Sequence, residues 1–178
     1  MSATATLLAR NGKLSDGLGR RALGISPELR TLVLTCGDHR VDPAHVLGVD
    51  LGEAVVLRNV GGRVTPGFIQ SLAVLATVGA VEGLATAFEL VVMHHTDCGT
   101  SRLDRPEYAA LLADYFGVCE ADVAARHLSD PVASVRTDIE LLRSHPLLPR
   151  TLIASGIVYD VESGHAAVIC PPRALGGQ

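Results

Sequence analysis

Apolar residues in this chain gather in short continuous runs separated by stretches of helical periodicity. Runs of β-branched and other apolar residues without polar alternation are typical of strands buried on both faces of a parallel sheet. Two further runs near the C-terminus flank Ser163-Gly164 and predict a hairpin. The predicted strands are TLVLT at 31–35, a second buried strand AVVLR at 54–58, FELVVMH at 88–94, and the hairpin partners TLIASGIVYDV at 151–161 and HAAVIC at 165–170.

Helical patterns fill the segments between these runs. Asp42-Pro43 and Thr65-Pro66 each place a capping side chain before a proline, which is how helices commonly begin. The first of these helices ends near Gly48 and the second near Gly83, and further helical patterns span 106–116 and 131–144. We therefore expect an α/β fold, with a mostly parallel central sheet flanked by helices and an antiparallel edge strand near the C-terminus.

Length and composition limit the chain to one core. With 178 residues, 48% of them hydrophobic and 19% charged, it has the apolar content of a globular protein. We expect a single domain over 1–178, in which residues 1–30 form an N-terminal helical arm. A net charge of −4, no tryptophan and 3% aromatic residues argue against nucleic acid or an anionic membrane as a partner. Small molecules and protein partners remain.

Targeting signals and cysteine usage point to the cytoplasm. The N-terminus shows no secretion signal, and the apolar stretch at 71–88 is interrupted by Glu82, which favours a packed helix over a membrane span. Four cysteines are too few for a disulfide scaffold in a chain of this size. In a reducing compartment they act as thiols, metal ligands or nucleophiles.

Two clusters of reactive side chains follow the first and third predicted strands. CGDHR spans 36–40 and HHTDCG spans 94–99. Ligands of parallel sheets bind at the carboxyl ends of the strands, and neighbouring strands lie about 5 Å apart, so both clusters can form one site. Cys36, His95 and Cys98 make a Cys₂His set for zinc, with the fourth position left to water or to Asp38.

The same residues have plainer interpretations. Cysteine is often a small buried hydrophobe, and Asp38 and Arg40 can form an ordinary ion pair. His94 competes with His95 as the ligand, but two intervening residues before Cys98 are the common zinc spacing and favour His95. His94 is then a strand residue or a hydrogen-bond donor behind the site. Cys119 and Cys170 lack partner spacing and are expected to be inert thiols.

CGDHR followed by HHTDCG resembles the CxDxR and HxxCG motifs of the β-class carbonic anhydrases. The similarity continues through RNVGGRVT, SLAVL, HPLLP and SGIVYDVESG, and covers roughly residues 30 to 170. It implies a zinc enzyme that interconverts carbon dioxide and bicarbonate, built as a homodimer or a dimer of dimers with active clefts at the subunit interface. By position, Cys36, His95 and Cys98 match the zinc ligands, while Asp38 and Arg40 match the catalytic dyad.

The chemistry agrees with that resemblance. Zinc acidifies a bound water, so that hydroxide can attack the carbon of a linear substrate near neutral pH. We expect ionised Asp38, held by Arg40, to accept a hydrogen bond from this hydroxide. If Arg40 releases Asp38, the carboxylate can instead take the fourth zinc position and stop the enzyme at lower pH.

Two departures from the common pattern leave the substrate open. His39 replaces the usual serine, and no glutamine precedes Cys36, where many members place an amide that contacts substrate. Hydrolases of carbonyl sulfide and carbon disulfide share the fold and ligands, and are the alternative function. His39 is expected at the surface, with a proton shuttle as its alternative role.

Three functions from other classes fit the sequence less well. An alcohol dehydrogenase needs a dinucleotide site, and the GxGxxA match at 17–22 has no buried strand before it. A thioredoxin-like role fails because no CxxC is present. A zinc-stabilised module without activity would need neither Asp38 nor Arg40, so their presence disfavours it.

Overall fold

Helices and strands alternate along most of the chain. The structure, a computed structural model, describes residues 2–18, 23–84 and 88–177. Short 3₁₀ turns cover Val60–Gly62, Gly99–Leu103, Pro106–Tyr108 and Glu120–Arg126. The longer elements are α1 (Ala3–Leu18), β1 (Thr31–Cys36), α2 (Pro43–Val46), β2 (Ala54–Asn59), α3 (Pro66–Val81), β3 (Glu89–His95), α4 (Ala109–Phe116), α5 (Pro131–Ser144), β4 (Ile153–Tyr159) and β5 (Ala166–Ala174).

The five strands form one sheet in the order β2-β1-β3-β4-β5. The first four run parallel, with Thr31 paired to Ala54 on one side and to Glu89 on the other. Strand β5 pairs antiparallel to β4 and closes that edge. The predicted α/β fold, with a parallel sheet and an antiparallel C-terminal edge strand, is confirmed.

The predicted helix starts form as their sequences dictate. Asp42 accepts from Ala44 N at 3.0 Å, and Thr65 accepts from Phe68 N at 3.2 Å. At the head of α5, Asp130 accepts from the amides of the second and third residues that follow it, at 2.9 and 3.0 Å. In each case a proline follows the capping residue. Such caps each stabilise a helix by about 1 kcal/mol, because they satisfy amides that have no partner within the helix.

The core lies where α5 packs on the parallel strands. Val135, Ile139 and Leu142 recur at helical spacing and are fully buried on one face of α5. They meet residues of β1, β3 and β4 in the main hydrophobic cluster. Gly156 in β4 allows the close approach, since a Cβ there would stand 2.9 Å from Val135 Cγ2. This packing fixes the strand ends that carry the reactive side chains.

The prediction of a second buried strand is wrong. Strand β2 lies at the sheet edge and is only partly covered, with Val56 38% exposed. A continuous apolar run shows that a strand is covered, but it does not show whether the cover comes from the same chain. Helix α3 is likewise apolar yet exposes much of its length, including Val81 at 80%.

Two sequence features bear on a membrane crossing and on dinucleotide binding. Among the described residues, no helix combines the length and the hydropathy that a membrane crossing requires. Most of the GxGxxA match at 17–22 lies outside the described residues, which resume at Leu23.

Candidate metal centre

Three donor side chains meet at the carboxyl end of the sheet. Cys36 is the last residue of β1, His95 is the last residue of β3, and Cys98 follows on the loop after β3. Both strands run one residue further than predicted, so two of the donors are fixed by strand pairing. The donor atoms of the three residues all lie within 4.8 Å of one another. The structure thus brings together the predicted Cys₂His set.

The spacing of these donors fits a tetrahedral zinc ion. The Sγ atoms of Cys36 and Cys98 are 3.8 Å apart. Two sulfurs bound to zinc at about 2.3 Å with a tetrahedral angle between them are separated by about 3.8 Å. His95 Nδ1 lies 2.9 Å from the carbonyl oxygen of Thr96, whereas its buried Nε2 has no hydrogen-bond partner in the part of the chain that the structure describes. Donation from Nδ1 leaves the Nε2 lone pair free for a metal.

Backbone and hydroxyl groups surround the two sulfurs and favour their ionised forms. The amides of Asp38 and Gly61 donate to Cys36 Sγ at 3.4 and 3.3 Å, and Thr100 Oγ1 lies 3.2 Å from Cys98 Sγ. Hydrogen bonding by Cys36 lowers the pKa of Cys98 to about 3, while the same contact raises the pKa of Cys36. The pair therefore holds one proton between its sulfurs, which a bound metal would displace.

The charge of the sulfurs also acts on His95, the third donor. Burial lowers the pKa of His95, but the Cys98 sulfur, the Thr96 carbonyl and Asp38 together raise it more, and the net direction is upward. A cation is therefore favoured among these donors, in the position that a metal would take.

Two glycines let the backbone pass close behind Cys36. Gly61 and Gly62 have φ values of +83° and +68°, in the left-handed region that side chains disfavour. A Cβ on Gly62 would stand 2.8 Å from Cys36 N and 2.9 Å from Thr35 C, and both of those atoms are backbone. In the sequence, the Gly61-Gly62 pair is the sign of this close approach.

Asp38 is held against Arg40 beside the donors. Arg40 donates from Nη2 to Asp38 Oδ2 at 2.7 Å and from Nε to Asp38 Oδ1 at 3.0 Å. The Arg40 amide adds a third bond to Oδ1 at 2.9 Å. These bonds from Arg40 hold the pKa of Asp38 well below its usual range, so the carboxylate is ionised at neutral pH. In this arrangement Asp38 is engaged by Arg40.

Arg58 braces the loop that carries Asp38. Its guanidinium donates to the carbonyls of Cys36 and Asp38 at 2.9 and 2.6 Å, and to the Asp42 carboxylate at 2.7 Å. Sequence reasoning gave Arg58 no role of its own. The sequence feature that could have identified Arg58 is its position near the end of β2, where it pairs in register with Thr35 of β1.

His94 points away from the donors into a buried ion pair. Its Nε2 lies 3.2 Å from Asp138 Oδ2, and Asp138 also receives Arg63 Nε and the Val64 amide, each at 2.9 Å. Asp138 and Arg63 are almost completely buried. The structure therefore places His95 with the cysteines and His94 with the Arg63–Asp138 ion pair. The sequence analysis did not predict this ion pair.

The remaining candidates lie apart from the donors. The His39 side chain is 93% exposed, with Nδ1 3.7 Å from Asp38 Oδ1. Cys119 is exposed and donates to Asp122 at 2.9 Å, and Cys170 lies on β5.

Little space is available next to the cluster. The cavity that touches His95 and Cys98 has a volume of about 10 Å³, which is roughly enough for one water molecule. A larger cavity of about 420 Å³ lies between α5 and β5 and includes none of the three donors. The small cavity lies toward Arg63 and His94, and neither Asp38 nor Arg40 lines it.

Comparisons with known proteins agree with this geometry. The carbonic anhydrase family model matches residues 31–166. A crystal structure of carbonic anhydrase from Streptococcus mutans superposes with a TM-score of 0.74 at 37% identity, covering 95% of this chain and 98% of that one.

The curated relatives include proteins named as carbonic anhydrases and proteins named as carbon disulfide hydrolases. Beta-carbonic anhydrase 1 of Mycobacterium tuberculosis is 28% identical over 96% of this chain and all of its own length. Carbon disulfide hydrolase of Acidianus sp. is 30% identical over 85% of this chain and 82% of its own length. The resemblance seen in the sequence is confirmed, and this chain belongs to the β-carbonic anhydrase family of enzymes.

Proposed function

We propose that this protein is a zinc-dependent carbonic anhydrase that reversibly hydrates carbon dioxide to bicarbonate. One observation carries the proposal. Two cysteine sulfurs 3.8 Å apart converge within 4.8 Å with a histidine nitrogen that has no hydrogen-bond partner among the described residues, beside an ionised Asp38. Cys36, His95 and Cys98 would hold the zinc, and Asp38 and Arg40 would form the catalytic dyad.

The protein's own groups divide the work around the ion. Zinc, when bound, makes water acidic enough to serve as a nucleophile near neutral pH. Asp38 would accept a hydrogen bond from that nucleophile and direct its lone pair at the carbon of the substrate. Arg40 keeps Asp38 ionised and away from the donors, and Arg58 fixes the loop on which both residues sit.

Hydrolysis of carbon disulfide or carbonyl sulfide is the second candidate function. It is supported by the curated relative named carbon disulfide hydrolase, which is 30% identical to this chain. Both sulfur compounds are linear electrophiles of the same shape as carbon dioxide, so the same nucleophile and dyad would serve. We place carbon dioxide first because the site alone makes no distinction and the Streptococcus mutans structure is the more similar, at 37% identity.

Stopped-flow measurement of carbon dioxide hydration tests the proposal. The zinc-loaded protein should be active, Cys98→Ala should be inactive, and Asp38→Asn should lose about 10²-fold in kcat. Asp114→Asn makes the same change at an exposed site on α4 and should retain full activity. Sulfide release from carbon disulfide is measured on the same preparations. A zinc-loaded protein that releases sulfide but does not hydrate carbon dioxide would establish the second function instead.

We also propose that the protein works as a homodimer or homotetramer. Helix α3 has no charged residue along its 16 residues, and its Val74 and Val78 are 59% and 42% exposed. The neighbouring edge strand β2 is open, and α1 exposes Leu7 and Leu8 at 60% and 66%. Exposed apolar surface of this extent marks an interface, and a second copy of the chain offers the same surface in return.

Charge placed on α3 tests this interface. Val74→Glu with Val78→Glu puts two carboxylates on one face of the helix, and sedimentation equilibrium should then give the monomer mass. Val168→Glu is the control, because it makes the same change at a 63% exposed valine on the opposite edge strand. A doubly substituted protein that keeps the mass of the parent oligomer would refute the assignment of α3.

A cytoplasmic location follows as part of the same proposal. All four cysteines are free thiols. Thiols persist in a reducing compartment, where thiolate ligands also stay available to zinc.

A further inference from the structure

Arg40 has a second carboxylate partner on the far side of Asp38. Its Nη1 donates to Asp97 Oδ2 at 2.8 Å, and its Nη2 donates to the Asp97 carbonyl at 2.9 Å. The other carboxylate oxygen of Asp97 is hydrogen-bonded by Arg102 Nη2. The four side chains form a chain of alternating charge, in which Arg40 lies between two carboxylates and Asp97 between two guanidiniums.

We propose that Asp97 is a positioning residue of the active site, which holds Arg40 in the orientation that keeps Asp38 engaged and away from the metal donors. The proposal deepens the function proposed above and rests on it. Asp97 does not reach the reacting atoms itself. It acts through Arg40, and Arg102 holds Asp97 in turn.

The directions of the hydrogen bonds support this role. A guanidinium has five N–H donors in one plane. Two edges of the Arg40 plane are in use, one by Asp38 and the other by Asp97. With both edges bound, rotation of the plane about its stem is restricted. If Asp97 were lost, Asp38 alone would orient the Arg40 guanidinium, and the contact that keeps Asp38 away from the donors would loosen.

The backbone of Asp97 is shaped for this contact. Its φ is +53°, in the left-handed region that non-glycine residues adopt at a cost. Aspartate tolerates that region better than most residues. The bend lies between His95 and Cys98, so the turn that delivers both donors also directs Asp97 at Arg40. A backbone held in this conformation between two donors points to a function beyond chain reversal.

The charges are also matched. Asp97 accepts from Arg40 through one carboxylate oxygen and from Arg102 through the other. Asp38 and Asp97 together balance Arg40 and Arg102. Without Arg102, two carboxylates would compete for one guanidinium and Asp38 would be held less firmly. Arg102 therefore allows Arg40 to serve both carboxylates.

Substitution of Asp97 tests the proposal on the metal-free and the zinc-loaded protein. Asp97→Asn keeps the shape and removes the charge, and Arg102→Gln weakens the same contact from its other side. Glu107→Gln is the matched control, because Glu107 is an exposed carboxylate near the guanidinium of Arg105, at 3.9 Å, and does not touch the dyad. In the metal-free protein, the solvent exchange of the Arg40 Nε–H is measured by nitrogen-15 NMR. This arm does not depend on the reaction being catalysed.

Asp97→Asn should speed the exchange of the Arg40 Nε–H and lower kcat by about 3- to 10-fold, with unchanged zinc content and unfolding midpoint. Arg102→Gln should do the same to a smaller degree, and Glu107→Gln should do neither. Exchange and kcat equal to those of Glu107→Gln would overturn the proposal. Loss of zinc from Asp97→Asn would also overturn it, because Asp97 would then support the ligand loop and not Arg40. If even the parent protein lacks activity, the proposed function fails, and the exchange data alone decide whether Asp97 holds Arg40.

Discussion

Asp138→Asn is the substitution that should most clearly separate a buried ion pair from an exposed one. Asp138 is fully buried, and its carboxylate accepts from Arg63 Nε at 2.9 Å, Arg63 Nη2 at 3.1 Å and the Val64 amide at 2.9 Å. The amide of asparagine fills the same volume but has no charge, and one of its two ends donates. Arg63, 2% exposed, would then be a buried cation without an anion.

The expected cost follows from that unpaired charge. Removal of one partner from a buried ion pair typically destabilises a protein by about 3–5 kcal/mol. Whole domains are stable by only about 5–15 kcal/mol, so the variant should unfold at a much lower urea concentration. Glu140→Gln is the control on the same helix. Its partner Arg143 lies at 2.6 Å, but Glu140 is 67% exposed, and such pairs contribute less than about 1 kcal/mol.

Urea unfolding followed by circular dichroism measures both variants, with the slope checked for two-state behaviour. If Asp138→Asn is too unstable to purify, Arg63→Met combined with Asp138→Asn should be recovered more readily, because the unpaired cation is gone. Equal costs for Asp138→Asn and Glu140→Gln would refute the reasoning.

The same carboxylate gives a pH dependence with a fixed sign. Burial alone would raise the pKa of Asp138, but His94 and Arg63 lower it below the value of 3.8 found in an unfolded chain. A depressed folded pKa means that the unfolded chain binds its proton first as the pH falls. The stability due to Asp138 is therefore complete above about pH 4 and is lost below it. Asp138→Asn should flatten this acid limb of the stability curve.

Three further outcomes are expected. Gly62→Ala should lower the free energy of unfolding in urea by about 1–3 kcal/mol and weaken zinc binding in a chelator competition, because its Cβ would meet backbone at 2.8 Å. Gly67→Ala is the control and should do neither, since the nearest atom to its Cβ is 3.9 Å away. Burial raises the pKa of Tyr115 to about 12. The stability that Tyr115 contributes should therefore be complete below its ordinary pKa of 10 and be lost between pH 10 and 12. Tyr115→Phe should not show this loss when its unfolding is measured at alkaline pH. Chelation of zinc should abolish activity and lower the melting temperature, and added zinc should restore both, while Cys98→Ala should respond to neither treatment.

Much of the fold was predictable because local signals agreed with one another. Proline after a capping residue predicted the start of α3 at Pro66, and the apolar runs predicted the first four strands to within two residues at each end. Strand β5 continues four residues beyond its predicted end, to Ala174. The edge position of β2 was not predictable, since an apolar strand reads the same whether its cover comes from the same chain or from a second one. The 3₁₀ turn at Glu120–Arg126 also carried no periodic signal.

The site divides in the same way. Cys36, His95 and Cys98 could be predicted together because strand ends share one edge of a parallel sheet. The contact of Arg40 with Asp97 and the partners of Asp138 could not, because each joins residues far apart in sequence through side chains whose directions depend on packing. Asp97 lies within the HHTDCG motif, yet the motif does not show that its left-handed turn directs its side chain at Arg40.

The three donors differ in how firmly the chain holds them, and this sets an order of events for metal release. Cys36 and His95 end strands that hydrogen-bond to neighbours in the sheet, so their amides should exchange with deuterium only when that region unfolds. Cys98 lies on a loop and can move without breaking the sheet. If an ion is bound, Cys98 would therefore be the first donor to let go of it, and the residence time would depend on the opening rate of this loop. Two donors would remain in place to recapture the ion when the loop closes.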